Sequence, residues 1–481
     1  MNKAIRRAWL AASCVFVLLV GSLSYIQFFD AKRLGENGWN SRGLYESYGS
    51  QRGAIVVDGT EIASSVSSKD GYDFQRTYSD PEVYASLTGY FSSIYGATGM
   101  ESAMNEDLAG TSDRQFYDRL SQMFSGNSAQ GATVELTVNS QLQQLAYQLL
   151  QGRKGSIVAM NPKTGEILAM VSSPSYDPNA LSSHNNESVL AAYQQLNEDA
   201  DRPLLNRSIG GDTYAPGSTF KIIDAVAALE SGKYTKDSVI PNPQDLPLPG
   251  TNATLPNYVN GQCATRTEAT IEWALAQSCN TPFAQIAMNL GGDKIAKTAE
   301  NFGYRDSSLT IPLSVSESVF PSNMTDSQLA QASIGQYDVK TTPLQVAMMS
   351  AAIANDGVQM KPNLIRSVKS HNLSTLYEFS EEKLRSSTSA DNARQVKEWM
   401  VNDVDNGIAS AAQVNGVKVA GKTGTAEIGS TGFNNAWFTG FAPADDPQVA
   451  VAVVYEGVNT AEGASLATPA AKQIFEAVLN R

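Results

Sequence analysis

Pro216-Gly217-Ser218-Thr219-Phe220-Lys221 runs into an apolar stretch, residues 222–229, that Gly232 ends. The pattern predicts a helix with Ser218 at its start. Ser218 and Lys221 stand three apart, so on a helix they share one face. At a helix N-terminus, free backbone N–H groups and the dipole favour negative charge. A serine hydroxyl is a weak nucleophile and needs an adjacent base. The chain has two histidines, His184 and His371, so Lys221 is the candidate base. It can serve only where burial or a neighbouring cation strips its proton. The plain alternative is an N-cap serine with a lysine snorkelling off the helix, and Ser-x-x-Lys alone occurs often by chance.

Two further pieces change that balance. Ser278-Cys279-Asn280 offers a hydroxyl and an amide two residues apart, suited to relaying a proton and holding a peptide group. Its ordinary reading is a helix end plus a turn. Lys422-Thr423-Gly424-Thr425 falls on a predicted strand, 417–425. A lysine beside two hydroxyls suits a carboxylate, and Gly424 would let a substrate backbone approach. The ordinary reading there is an edge-strand lysine at a bulge. Gly416-Val417-Lys418-Val419-Ala420-Gly421-Lys422-Thr423 also matches the phosphate-binding loop pattern. Val-Lys-Val-Ala reads as strand, however, and no helix follows Thr423, which argues against a nucleotide site.

Composition excludes other classes. With 481 residues, and at roughly 100–200 residues per domain, two to four domains are expected. Lys+Arg is 35 and Asp+Glu 48, a net charge of −13, which disfavours nucleic acid as a main partner. Two histidines argue against a Ser-His-Asp triad or a multi-histidine metal site. The three cysteines, Cys14, Cys263 and Cys279, form no CxxC, which excludes a zinc ribbon or redox motif. Cys263 and Cys279 are open to two readings, a short-loop disulfide or buried free thiols beside Ala276 and Phe283.

Lys3, Arg6 and Arg7 precede an uncharged stretch, residues 8–29. As a helix it spans about 33 Å, against a bilayer core of about 30 Å. The flanking charges place the N-terminus inside. A cleaved signal peptide is the competing reading, but apolarity resumes at Tyr25-Ile26-Gln27-Phe28-Phe29 and favours an uncleaved anchor. The expected organisation is a tail (1–7), a transmembrane anchor (8–29), a pedestal (30–133) and a catalytic domain (134–481). In the pedestal, residues 51–57 read as a strand entering the Asp58-Gly59 turn. In the catalytic domain, Asn139 or Ser140 caps a helix through Leu150, and residues 156–171 form a hairpin. Thr342-Pro343 opens a helix that Asn355-Asp356-Gly357 ends. Strands 417–425, 436–442 and 449–455 precede a last helix from Thr468-Pro469. Together these predict an α+β fold whose antiparallel sheet is closed by both ends of the chain.

Ser-x-x-Lys, Ser-x-Asn and Lys-Thr-Gly in this order resemble the serine penicillin-recognising enzymes. Within them the chain resembles a class B penicillin-binding protein, a peptidoglycan D,D-transpeptidase. Arg52-Gly53-Ala54-Ile55, Gly165-Glu166-Ile167-Leu168-Ala169-Met170, Ser173-Pro174-Ser175-Tyr176-Asp177-Pro178-Asn179, Gly335-Gln336 and Ala436-Trp437-Phe438-Thr439-Gly440 carry the likeness along the chain. The short pedestal, with Tyr95-Gly96-Ala97-Thr98-Gly99-Met100-Glu101, is most similar to the actinobacterial penicillin-binding protein A subgroup. No glycosyltransferase segment precedes it, unlike in bifunctional class A enzymes.

The resemblance implies a dimerisation-like pedestal and an antiparallel sheet with helices on both faces plus an all-helical lobe. It implies Ser218 as the acylated nucleophile, Lys221 as its base, Ser278 as proton relay and Asn280 as binder of the substrate peptide group. Lys422, Thr423 and Thr425 would hold the terminal carboxylate beside Gly424, and the backbone N–H groups of Ser218 and Thr425 would form the oxyanion hole. The implied partners are D-Ala-D-Ala stem peptides, an acceptor amine, β-lactams, a membrane glycosyltransferase and other cell-wall machinery, with no metal and no cofactor. A β-lactam sensor or β-lactamase, or a non-catalytic scaffold, are the alternatives. Against a class A β-lactamase, residues 281–325 hold Asp293, Glu300, Asp306 and Glu317 as their acids, and none begins a Glu-x-x-Leu-Asn pattern.

Overall fold

A computed structural model describes residues 3–30, 51–70, 72–116, 130–211, 213–429 and 431–480. Residues 1–2 of the expected tail, and 31–50, 71 and 117–129 of the expected pedestal, lie outside the described residues. The N-terminal helix Lys3–Tyr25 continues as the π-helical turn Ile26–Asp30, and the two are together long and apolar enough to cross a membrane.

The catalytic half is built on a five-stranded antiparallel sheet. Its order is Ala420–Glu427, Asn434–Ala442, Val449–Val458, Gly155–Met160, Ile167–Ser173. Strands from the two ends of the domain meet where Val449–Val458 pairs with Gly155–Met160, as the sequence predicts. Alternation decides what each face packs on. Val449, Val451, Val453 and Tyr455 join a core with the Ser140–Leu150 and Thr460–Leu479 helices. Ala450, Ala452 and Val454 face the opposite core, which holds Leu344, Ala347, Met348 and Ala351 of the Pro343–Ala354 helix. With both faces covered, the central strand is aliphatic from Val449 to Val454, and every residue of the Pro343–Ala354 helix is buried.

Local signals set several boundaries. Asn139 accepts from Leu142 N–H at 3.0 Å and caps the Ser140–Leu150 helix. Thr342 caps the Pro343–Ala354 helix, with Pro343 in its first turn. Asp58 and Gly59 both take positive φ in the turn between the strands Ile55–Val57 and Thr60–Ser67, as an Asp-Gly hairpin requires. The last helix corrects the expectation. It begins at Thr460, and Pro469 lies inside it. Asn459 accepts from Glu462 N–H at 3.0 Å and starts it early. Pro469 lacks an N–H, and the residue four earlier, Ser465, is exposed, so solvent can serve the carbonyl left over.

The pedestal sheet takes strands from both sides of residue 133. Its order is Thr375–Glu378, Ile365–Lys369, Thr133–Leu136, Ile55–Val57, Thr60–Ser67, Phe74–Tyr78. The Ile365–Lys369 strand pairs antiparallel with Thr133–Leu136, so the later half of the chain stitches the pedestal to the catalytic domain. Pairs this distant in sequence leave no local signal.

Candidate active site

Ser218 lies in a single 3-10 turn, Gly217–Phe220, that feeds the Lys221–Glu230 helix. The turn is held from several sides. Gly217 has φ +54°, and a Cβ there would sit 2.6 Å from Thr425 O. Gly217 N–H donates to Gly335 O at 3.0 Å. Trp437 Nε1 donates to Ala215 O at 3.1 Å, and Phe220 stacks on Phe320 with centroids 5.2 Å apart. Gly217, Thr219 and Phe220 are buried, whereas Ser218 keeps an open side. The serine is thus presented to solvent by a rigid turn.

Lys221 is completely buried. Its Nζ donates to Ser278 O and to Asn280 Oδ1, each at 2.8 Å, with Ser278 Oγ at 3.5 Å. Phe283 closes the apolar side, its ring centroid 5.7 Å from Nζ. Burial first, and then the charge of Lys422, push this lysine well below its usual value, against Asp224 and Asp403. This is the condition a lysine base requires.

Ser278-Cys279-Asn280 turns between the Ile271–Ala276 and Asn280–Leu290 helices. Ser278 takes φ 56°, a conformation that costs energy for a residue with a Cβ, so the turn must be held from outside. Asn257 holds it: Oδ1 accepts from Asn280 N–H at 2.7 Å and Thr281 N–H at 3.1 Å. Asn257 Nδ2 reaches Asn242 Oδ1 at 2.8 Å. Cys263 and Cys279 are bridged, which sets aside the free-thiol reading. Asn280 Nδ2 donates to Pro256 O at 2.9 Å, and an amide nitrogen carries a second proton for a ligand.

The Ala420–Glu427 strand is an edge of its sheet. It starts three residues later than the expected 417, so the phosphate-loop match is a turn and irregular lead-in at 416–419 followed by strand at 420–423, with no helix after it. Thr423 is half-buried and Thr425 exposed, whereas Lys422 and Gly424 are buried. A Cβ at Gly424 would sit 2.9 Å from Thr219 Cγ2 and 3.0 Å from Pro216 O. The Ser218 turn therefore fills the side of Gly424 where a Cβ would stand. Lys422 Nζ lies 3.3 Å from Asp403 Oδ2, with both side chains fully buried. Poor alignment makes this a Coulombic pair more than a hydrogen bond.

Sequence reasoning missed Asp403, Asp224 and Asn257. Asp403 had a signal: in the Ala390–Asn406 helix, Val396, Trp399, Met400 and Val404 are buried at helical spacing, and Asp403 is the acid on that stripe. Burial pushes it up to about 6, against the pull of Lys422. Asp224 lies one turn beyond Lys221, both carboxyl oxygens buried with no partner among the described residues. Burial pushes it well above the usual carboxylate range. Asn257 had no signal, because its partners lie at 242, 280 and 281. Of the acids at 281–325, Glu300 pairs with Lys297 and Arg305, and Asp306 with Arg385.

Comparison with known proteins follows the same outline. Residues 155–476 match the penicillin binding protein transpeptidase domain, and residues 52–134 match the penicillin binding protein A dimerisation domain. The chain is 38% identical over 490 residues to peptidoglycan D,D-transpeptidase PbpA of Mycolicibacterium smegmatis, covering 100% of this chain and 99% of that one. The ceftriaxone acyl-enzyme of penicillin-binding protein A from M. tuberculosis superposes with a TM-score of 0.86 at 38% identity, over 90% of this chain and 100% of that one. The D,D-transpeptidase domain of a peptidoglycan glycosyltransferase from Eggerthella lenta gives 0.78 at 35% identity, over 90% and 99%. Matched in both domains and over its whole length, the chain belongs to the class B penicillin-binding protein transpeptidases.

Proposed function

We propose that the chain is a membrane-anchored peptidoglycan D,D-transpeptidase acting through a Ser218 acyl-enzyme. The observation that carries the assignment of residues is the setting of Lys221. A neutral amine has two N–H donors and one lone pair. Ser278 O and Asn280 Oδ1, each at 2.8 Å, take the two donors, and the lone pair is left to accept a proton. Ser218 Oγ gives its proton to Lys221 and attacks the D-Ala-D-Ala carbonyl carbon. The C–N bond breaks, Ser278 passes the proton to the departing amine, and D-alanine leaves. The amine of a neighbouring stem peptide then attacks the ester, reforms an amide and returns the proton to Ser218. The backbone N–H groups of Ser218 and Thr425 stabilise the oxyanion. Thr423 and Thr425, backed by the Lys422 charge, hold the donor carboxylate, and the free Nδ2 proton of Asn280 holds its peptide group.

The Lys3–Asp30 segment anchors the chain with its N-terminus inside and the pedestal (30–133) and catalytic domain (134–481) outside. There a membrane glycosyltransferase supplies the glycan strands. A β-lactam takes the donor's place and stays on Ser218. Labelled penicillin should modify one peptide, the one containing Ser218, and Ser218→Ala should abolish labelling in a folded chain. Robust labelling of Ser218→Ala would sink the assignment. The adduct should survive many minutes after drug removal by intact-protein mass spectrometry, because none of the acids at 281–325 starts a deacylating Glu-x-x-Leu-Asn pattern. Loss within seconds with steady drug hydrolysis would make the chain a β-lactamase.

A further inference from the structure

Two buried lysines share this site, and the chemistry requires them to differ: Lys221 neutral, Lys422 cationic. Like charges at close range disfavour double protonation, so one proton must be assigned to one of the two. The ionisable groups facing the pair are Asp403, from the Ala390–Asn406 helix, and Asp224, from the helix of Lys221 itself. The neighbouring Asn434–Ala442 strand places Thr439 opposite Lys422. The Gly217–Phe220 turn brings Ser218 and Thr219, and the 278–283 segment brings Ser278, Asn280 and Phe283. None of these carries charge near neutral pH.

Asp403 is fixed in place. Its Oδ1 accepts from Ala409 N–H at 3.0 Å, its backbone oxygen accepts from Gly407 N–H at 2.9 Å, and Ile408 N–H donates to Ala276 O at 3.1 Å. A Cβ at Gly407 would sit 2.7 Å from Asp403 Oδ1 and 2.3 Å from Ala276 O. The helix end that carries the carboxylate is thus tied to the residue two before Ser278. Its other oxygen, Oδ2, is turned to Lys422 at 3.3 Å.

We propose that Asp403 is the positioning residue that holds the shared proton on Lys422 and so leaves Lys221 neutral to act as the base. The inference rests on the reading of Lys221 as base. Asp403 acts directly on Lys422 and more weakly on Lys221, for which Lys422 is the larger influence. An ionised Asp403 therefore favours the arrangement in which the cation is Lys422. Asp224 pulls the other way, on Lys221, and its burial, which disfavours the carboxylate form, weakens that pull.

Without the Asp403 charge, less total proton is held, and the proton that remains is divided between the two lysines. In the full-length chain in detergent, Asp403→Asn should lower the peak second-order rate of penicillin acylation about tenfold and move the alkaline limb of its pH profile down by about one unit. Asp403→Glu, which keeps the charge, should restore the limb. An Asp403→Asn limb that superimposes on the wild type, with only thermal stability lost, would overturn the proposal. Should both variants fail to fold by near-ultraviolet circular dichroism, lysine 13Cε resonances of the wild type decide, assigned by their loss in Lys221→Met and Lys422→Met. Lys422 cationic and Lys221 neutral at pH 7 is expected, and the reverse overturns it. A wild-type chain that forms no acyl-enzyme would instead sink the reading of Lys221 itself.

Discussion

Each half of the molecule buries a cluster of charge, and the two are built differently. In the pedestal, Glu101 accepts from Arg52 Nε and Arg76 Nε, each at 2.6 Å, and from Tyr78 OH at 3.2 Å. Arg52 also donates to Asn105 Oδ1 at 2.8 Å and lies over the Phe91 ring at 4.3 Å. Burial would raise Glu101, yet the two arginines hold it below the usual carboxylate range. In the catalytic half, Lys221 and Lys422 are both pushed down and Asp224 and Asp403 both pushed up, each first by burial. The pedestal cluster joins its ions by aligned, charge-assisted hydrogen bonds, with Arg76 Nη2 left without a partner among the described residues, and fixes a shape. In the catalytic cluster burial opposes the charged form of all four groups, the direction in which acid–base work shifts a side chain.

That contrast can be broken at either end. The largest expected effect is Lys221→Arg, which should abolish penicillin labelling, since a guanidinium does not give up its proton near neutral pH. Its thermal midpoint should fall far less than that of a pedestal-cluster variant, and normal labelling would remove the lysine from the chemistry. Glu101→Gln should cost about 3–5 kcal/mol of stability, because it leaves buried arginines uncompensated. The folded fraction should acylate at the wild-type rate. A stable Glu101→Gln protein with slowed acylation would show that the pedestal cluster serves the chemistry after all.

Removing the bridge with Cys263→Ser and Cys279→Ser should cost about 2–4 kcal/mol, through unfolded-chain entropy of a short loop, read in denaturant melts. Because Cys279 lies in the Ser278–Asn280 turn, acylation should slow as well. Unchanged acylation would mean that Asn257 alone holds the turn. The smallest effect has the opposite sign. Asp224→Val removes a buried, unpartnered carboxyl and should stabilise the chain by about 1–3 kcal/mol at pH 7. A carboxyl raised in the folded state costs nothing below its unfolded value, near 3.8. Its cost grows as pH rises from there toward the folded value, because the unfolded chain releases a proton that the folded one keeps. The gain from Asp224→Val should therefore be larger at pH 7 than at pH 4. A variant less stable than wild type at pH 7 would show that the carboxyl is satisfied.

By itself the sequence determined what depends on local spacing. Ser218 and Lys221 share a face because they are three apart, Asn139 and Thr342 cap helices because their side chains reach nearby N–H groups, and Asp58-Gly59 turns a hairpin because both residues tolerate positive φ. The alternation in 449–455 put Val449, Val451, Val453 and Tyr455 on one face of the sheet and Ala450, Ala452 and Val454 on the other. Tertiary structure decided what depends on distant partners. It carried the Ile365–Lys369 strand into the pedestal sheet, filled the space at Gly424 with Thr219 and Pro216, joined Cys263 to Cys279, and set Asn257 under the Ser278 turn. It also brought Asp403 to Lys422. The physical reason is range: a hydrogen bond or an ion pair acts over a few ångströms, and for these residues only folding supplies the contact.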